Sequence, residues 1–321
     1  MTTPKLDENA KGVFIISATP FEANGALDLE STDRMVDYYL EAGVSGMTIL
    51  GVMGEAPKLT PDESMAFCQR VLKRVNDHVP IVVGVSAPSL GSIESLSSKV
   101  MDTGAAGVMV APMPGLRTDR QIENYFHDVC RTIGDTPVVL QDYPPSTGVY
   151  FSVELLNKLF ADLPSLKILK HEESPGLRKI TQFRGDEKSG NRRRVSVLVG
   201  NGALYLPQEL NRGVDGAMTG FAFAEMMVQV CSLHAVGKTE EAEDLFDAYL
   251  PLVRHEQQIG IGLSLRKEVL RRRGVISSAA TRKPGPALDK TDEAELTALL
   301  NRLNRKLETL GKTPYLSLIH I

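Results

Sequence analysis

The phrase "EAGVSGMTIL" (41–50) returns as "DTGAAGVMVA" (102–111) and again as "NRGVDGAMTG" (211–220). Each copy closes a helical pattern with one glycine, turns through a second, and runs into a short apolar stretch. A glycine at a helix C-terminus followed by a short loop into a strand is the αβ joint of a βα repeat. Strand-like runs of this kind fall at 13–18, 46–50, 81–87, 107–112, 138–143, 166–170, 195–201 and 216–221. They lack polar alternation, which predicts parallel strands covered on both faces by helices. Helical patterns lie between them, for example over 29–42, 60–77, 118–133 and 152–162. Thr60-Pro-Asp-Glu and Thr118-Asp-Arg-Gln read as capped starts.

Eight such strands before residue 222 predict a closed (β/α)8 TIM barrel over 1–222 rather than an open doubly wound sheet. The first strand is also not followed by the G-x-G-x-x-G of a dinucleotide fold. Beyond it the patterns at 224–236, 239–257, 265–273 and 291–309 predict a C-terminal helical bundle over 223–311. "SSAATRKPGPALD" reads as a loop inside that bundle. The closing "PYLSLIHI" follows a charged helix and keeps no helical period, so 312–321 reads as a tail foreign to the fold.

Composition narrows the partners. A net charge of −4 provides no basic field for nucleic acid and no polybasic patch for a membrane. Arg192–Arg194 and Arg271–Arg273 read as solvated helix ends or loops, with a subunit contact as the alternative. Cys68, Cys130 and Cys231 lie far apart within amphipathic patterns, which fits buried free thiols in a reducing cytoplasm and suits no zinc site. No signal peptide opens the chain and no apolar run reaches ~18 residues, so neither secretion nor membrane spanning is expected. The six histidines are scattered, none with an i, i+4 partner, and no metal is expected.

In a barrel the reacting groups sit at the C-terminal ends of strands and in the loops that follow. Those places hold Thr19, the run Gly51, Val52, Met53, Gly54 and Glu55, then Gln141 to Tyr143, Lys170 to Glu173, Gly200 to Gly202, and Thr219. Lys170 is the one lysine that finishes a strand run in an inward-capable position. A buried amine that sheds its proton attacks ketones, forming a carbinolamine and then an imine that acts as an electron sink. The competing reading is a lysine in an ion pair with Glu172, Glu173 or Glu55. "GVMGE" reads either as a nest of backbone N–H groups for a carboxylate or as a plain tight turn. Glu55 is expected to accept hydrogen bonds from neighbouring loops. Gln141 and Tyr143, two apart on one strand, share a face that is either the lumen or the helix side.

With these residues assembled, the chain resembles the dihydrodipicolinate synthase / N-acetylneuraminate lyase family of class I, Schiff-base aldolases. The motifs are "ATPF" followed by G-x-L-D, "GVMGE", "LQDYPPSTG", "LKHEE" and "GNG", in the family's order and spacing over roughly 12 to 300. The resemblance implies a lysine that forms an imine with a pyruvate-type 2-oxo acid and no cofactor beyond that covalent bond. Lys170 falls on that lysine, and Gly51 to Glu55 on the loop that grips the keto acid's carboxylate. Gly200, Asn201 and Thr219 fall among the expected substrate contacts. A cytoplasmic homotetramer of paired dimers is implied as well, with a small 2-oxo acid and an aldehyde as partners.

Departures from the family qualify that picture. Its usual G-T-T-G-E or G-S-T-G-E loop carries hydroxyls where this chain has Val52 and Met53. Its catalytic tyrosine stands where this chain has Gln141, and Tyr143 is a candidate substitute. The arginine that would bind an aldehyde's carboxylate falls at Ser146, and the "PYY" segment reads Pro112-Met113-Pro114. Arg117 is a candidate replacement for that carboxylate binder. Val52, Met53, Met113 and Pro145 are expected to give the mouth an apolar lining. The reading that follows is a Schiff-base lyase, aldolase or hydro-lyase, with Tyr143 or His171 through water moving the proton. The alternatives are the true 4-hydroxy-tetrahydrodipicolinate synthase reaction on pyruvate and aspartate semialdehyde, or a barrel that binds a small acid without turnover.

Overall fold

The structure is a computed structural model and describes residues 6–174 and 176–314, so most of the tail expected at 312–321 lies outside the described residues. Eight strands, β1 (Gly12–Ile16), β2 (Gly46–Ile49), β3 (Ile81–Gly84), β4 (Gly107–Val110), β5 (Val138–Asp142), β6 (Leu166–His171), β7 (Ser196–Val199) and β8 (Gly216–Thr219), pair in parallel and in chain order. The sheet closes where β8 meets β1, Gly12 against Gly216 through Ile15 against Thr219, so the fold is the (β/α)8 barrel. Nearly every strand residue is buried, which is why the runs carry no polar alternation.

Alternate side chains divide into two cores. One set packs outward under the helices, among them Val13, Ile15, Val83, Val108, Leu140 and Leu169. The other fills the lumen with Phe14, Ile16, Val82, Met109, Val139, Ile168, Leu198 and Met218, and Leu6 joins them. The lower lumen is thus mostly apolar packing, and its polar groups gather at the C-terminal mouth.

The helix starts follow their sequence signals. Thr60 and Thr118 each form a reciprocal capping box, with Glu63 and Gln121 respectively. After β8 come helices Ala224–Ala235, Thr239–Glu256, Gly262–Arg272 and Lys290–Thr309. The first of these packs on β1 and on Thr239–Glu256. Ion pairs tie the C-terminal region to the barrel mouth. Lys267 Nζ, fully buried, reaches Glu55 Oε1 at 2.7 Å, and Arg282 clamps Glu63.

Arg271, its side chain 46% exposed beside Glu268, is the solvated helix end expected, but the other arginines of these runs are drawn into the structure. Arg193 donates to the carbonyls of Phe160, Leu163 and Leu166, and Arg192 lies over the Phe183 ring while bonding Phe183 O. Arg194 pairs with Glu187 and Asp215, and Arg273 with Glu225. Guanidiniums satisfy carbonyls at helix and strand ends here, a role that a basic run in sequence does not distinguish from solvation. The three cysteines are free and buried. Among the described residues no helix is long and apolar enough to cross a membrane.

Candidate active site

The register of β5 against β6 sets Gln141 beside Lys170. Ile168 faces the lumen, so Lys170 and then Glu172, each two residues on, continue that face toward the mouth. Lys170 Nζ lies 2.8 Å from Glu172 Oε2, and Gln141 Nε2 donates to the same oxygen at 2.8 Å. Lys170 is 4% exposed and Glu172 6%. The ion-pair reading of Lys170 is therefore realised, with Glu172 as the partner. The pair also leaves the amine beside a carboxylate able to take its proton.

His171 and Asp142, one residue out of phase, turn away from the lumen. His171 Nδ1 meets Asp142 Oδ2 at 3.1 Å, and Lys179 Nζ reaches the same carboxylate at 3.0 Å. Strand alternation thus takes His171 out of the pocket, contrary to its expected part in moving a proton.

The mouth holds a small pocket of about 60 Å3. Lys170, Glu172, Gln141 and Tyr143 line it from β5 and β6, and Asn201, Gly202, Thr219 and Gly220 from the ends of β7 and β8. Ile16, Val52 and Met53 close it opposite, and Gln257 and Arg266 enter from the C-terminal helices. Tyr143 therefore shares the lumen face with Gln141. Burial, and then the negative charge of Glu172, push its phenol above the ordinary value, so it keeps its proton.

Glycines make room for these polar chains. A Cβ on Gly200 would stand 2.2 Å from Glu172 Cγ, and one on Gly202 only 1.8 Å from Gln257 Nε2. Asn201 Nδ2 donates to Glu172 O and Thr219 Oγ1 accepts from Gly202 N, both at 2.8 Å, fixing the loop after β7 to its neighbours. Gly200 shapes the pocket from behind Glu172 without lining it.

The loop after β2 divides. Val52 is 55% exposed at the pocket, while Met53 packs on the lumen core. Gly51, Gly54 and Glu55 do not line the pocket. Glu55 points behind the loop and accepts from Lys267 at 2.7 Å, Lys58 at 3.0 Å and Arg282 N at 2.9 Å, the hydrogen-bonding part expected of it. Thr19 Oγ1 donates to Gly54 O at 2.6 Å. Among the described non-glycine residues, six have positive φ, and Leu50, Glu55, Asn201 and Ala203 in these two loops are four of them. Strained backbone concentrated at one mouth marks that mouth as the working end.

Several expected contributors lie elsewhere. Arg117, Pro145 and Ser146 are exposed, Met113 is 39% exposed, and none of the four lines the pocket. The expected apolar lining thus reduces to Val52 and Met53. His127 does have an i−4 partner: Glu123 and Asp162 come near it, though Glu123 is already bonded to Lys158 at 2.7 Å. Glu172 was expected at this mouth as a candidate ion-pair partner of Lys170, whereas Gln257 and Arg266 were not among the expected site residues. Nothing local in the sequence marks these two, which arrive from the C-terminal helical region.

The sequence matches the dihydrodipicolinate synthetase family over residues 9–303. It is 31% identical to L-2-keto-3-deoxyarabonate dehydratase of Azospirillum brasilense, over 92% of this chain and 94% of that protein. It is 27% identical to 4-hydroxy-tetrahydrodipicolinate synthase of Methanococcus maripaludis, over 76% of this chain and 82% of that protein. Among solved structures, a dihydrodipicolinate synthase from Rhodopseudomonas palustris superposes with a TM-score of 0.91 at 48% identity, covering 93% of this chain and 99% of that one.

Proposed function

The chain belongs to the dihydrodipicolinate synthetase family and is a lyase of that family, and we propose that it is a Schiff-base hydro-lyase that removes water from a 2-oxo-3-deoxy acid. The observation that carries the proposal is the buried contact of Lys170 with Glu172 in a pocket at the barrel mouth. Similarity to the A. brasilense dehydratase over nearly the whole chain favours elimination of water over condensation.

In this reading Glu172 takes a proton from Lys170, and the freed amine adds to the C2 carbonyl. Glu172 then returns that proton to the carbinolamine hydroxyl, which leaves as water, and the protonated imine that remains draws electrons from C3. Glu172 lies beside that imine and is placed to take a C3 proton. The resulting enamine expels the C4 hydroxyl, and Tyr143, whose phenol keeps its proton, supplies it so that water departs. The C3 proton passes from Glu172 back to the Tyr143 phenolate, and water hydrolyses the imine and restores Lys170, for a net loss of one water. Gln141, where the family carries a tyrosine, acts as a positioning residue by holding the Glu172 oxygen that faces the amine. Asn201 and Thr219 hold the loop after β7 in place around the substrate. Of the loop after β2, only Val52 and Met53 line the pocket, and they have backbone N–H groups but no hydroxyl to offer the acid.

The same reading needs no cofactor beyond the covalent imine and places the enzyme in the cytoplasm, where three buried thiols stay reduced. Assembly into a homotetramer follows the family's habit. The synthase reaction is the second reading, favoured by the likeness to the R. palustris structure. The test is turnover of a set of 2-oxo-3-deoxy sugar acids, set against pyruvate with aspartate semialdehyde. Release of a dehydrated oxo acid supports the proposal. Efficient condensation with no dehydration replaces it by the second reading.

A further inference from the structure

Arg266 reaches the pocket from helix Gly262–Arg272 rather than from a strand. Its Nε donates to Glu256 Oε2 at 2.9 Å, and both side chains are almost wholly buried. Its Nη1 has no hydrogen-bond partner. That nitrogen lies 2.3 Å from where a Cβ on Gly220 would stand, and Ile16 O is 2.8 Å from the same point, so it occupies the seam between β8 and β1. Folding around an unmade bond on a buried charged donor is costly, and such donors are normally satisfied. Arg266 lines the pocket, and an occupant that meets Nη1 there would supply the missing bond.

Two cations line this pocket, Lys170 and Arg266. Lys170 is held by Glu172 and is consumed as the nucleophile. A 2-oxo acid, however, brings a carboxylate that stays ionised from binding to release. The loop at Val52 and Met53 has no hydroxyl to offer it. We propose that Arg266 Nη1 binds the carboxylate adjacent to the substrate's carbonyl, with Glu256 holding the guanidinium by its other edge. The charge that the loop after β2 does not supply thus comes from the helical extension, and the site takes 2-oxo acids with a free C1 carboxylate. Gly220 is the residue that lets the guanidinium in, and Glu256 is a positioning residue.

This inference rests on the Schiff-base reading, and one experiment separates their failures. The imine is trapped with borohydride at a series of concentrations of pyruvate, or of its uncharged methyl ester, and read by intact mass. Wild type, Arg266→Gln and Arg266→Lys are compared. Loss of a charge-assisted bond should raise the half-saturation for pyruvate ~10- to 100-fold in Arg266→Gln and leave the ester unchanged. Arg266→Lys keeps a cation for Glu256 but has no second arm, so it should also weaken pyruvate and spare the ester. The ester serves as the check on folding in each variant. Unchanged pyruvate half-saturation overturns the inference, as does equal loss for acid and ester in both variants, which would make Arg266 structural. Absence of any adduct in wild type would instead defeat the Schiff-base reading itself.

Discussion

Glu172 Oε2 sits 2.8 Å from Lys170 Nζ, and the two side chains leave the same face of one strand and its continuation. A nucleophilic amine must lose a proton before it can attack, and this carboxylate is its nearest acceptor. The pair thus unites the ion-pair and nucleophile readings of Lys170: the partner that holds the ammonium is the base that frees the amine.

Glu172→Gln should therefore lower turnover by ~10²–10⁴ while still allowing slow imine formation. The amide keeps the shape and can still contact Gln141, but accepts no proton. Steady-state kcat alongside the rate of borohydride trapping checks this. A loss below about tenfold would make Glu172 a spectator.

Tyr143→Phe should slow expulsion of the hydroxyl without preventing the imine. Since burial and Glu172 both raise the phenol's pKa, the donor form persists to higher pH than in a free tyrosine. The wild-type profile should accordingly show no alkaline loss attributable to this group near its ordinary value. Adduct formed at the wild-type rate with turnover down at least ~tenfold is the expected outcome.

The architecture was legible because its cause is local and repeated. Glycine-closed helices feeding unalternated apolar runs leave few folds open, and Thr60 and Thr118 announce their helices by capping. Lys170 was legible for the opposite reason, as a charge that breaks an apolar run. Arg266 and Gln257 were not, since charged helices far downstream in the chain read as solvated faces until they are seen to close the mouth. His171 misled because sequence adjacency to Lys170 is opposition across a strand.

Lys267→Met should destabilise the fold near the low end of ~3–5 kcal/mol. The change removes the buried partner of Glu55 but leaves Lys58 and the Arg282 amide in place. Lower midpoint in urea with an unchanged slope is the expected result. Because the pair braces the loop after β2 from behind, pyruvate binding at temperatures below the melt should weaken as well.

Glu209, buried in helix Leu206–Leu210 with Oε2 unpartnered, has its carboxyl pushed up by burial from the ordinary 4.5 to about 8. Between those values the folded chain holds a proton that the unfolded chain has lost. Its stabilising contribution is full below about pH 4.5 and is lost as pH rises through about 8, at a slope of at most roughly 1.4 kcal/mol per pH unit. Glu209→Gln should flatten the fall in stability across that window and leave the variant more stable than wild type above it. Urea midpoints from pH 5 to 9, compared between the two proteins, decide this.

The most direct test of the central claim is borohydride trapping with pyruvate on wild type and Lys170→Arg, each read by intact mass and peptide mapping. A guanidinium keeps the charge beside Glu172 but stays protonated and does not attack a carbonyl. The account predicts a single reduced adduct on Lys170 in wild type and none in a folded Lys170→Arg. Wild type without an adduct, an adduct on another lysine, or an adduct that survives the substitution would contradict it.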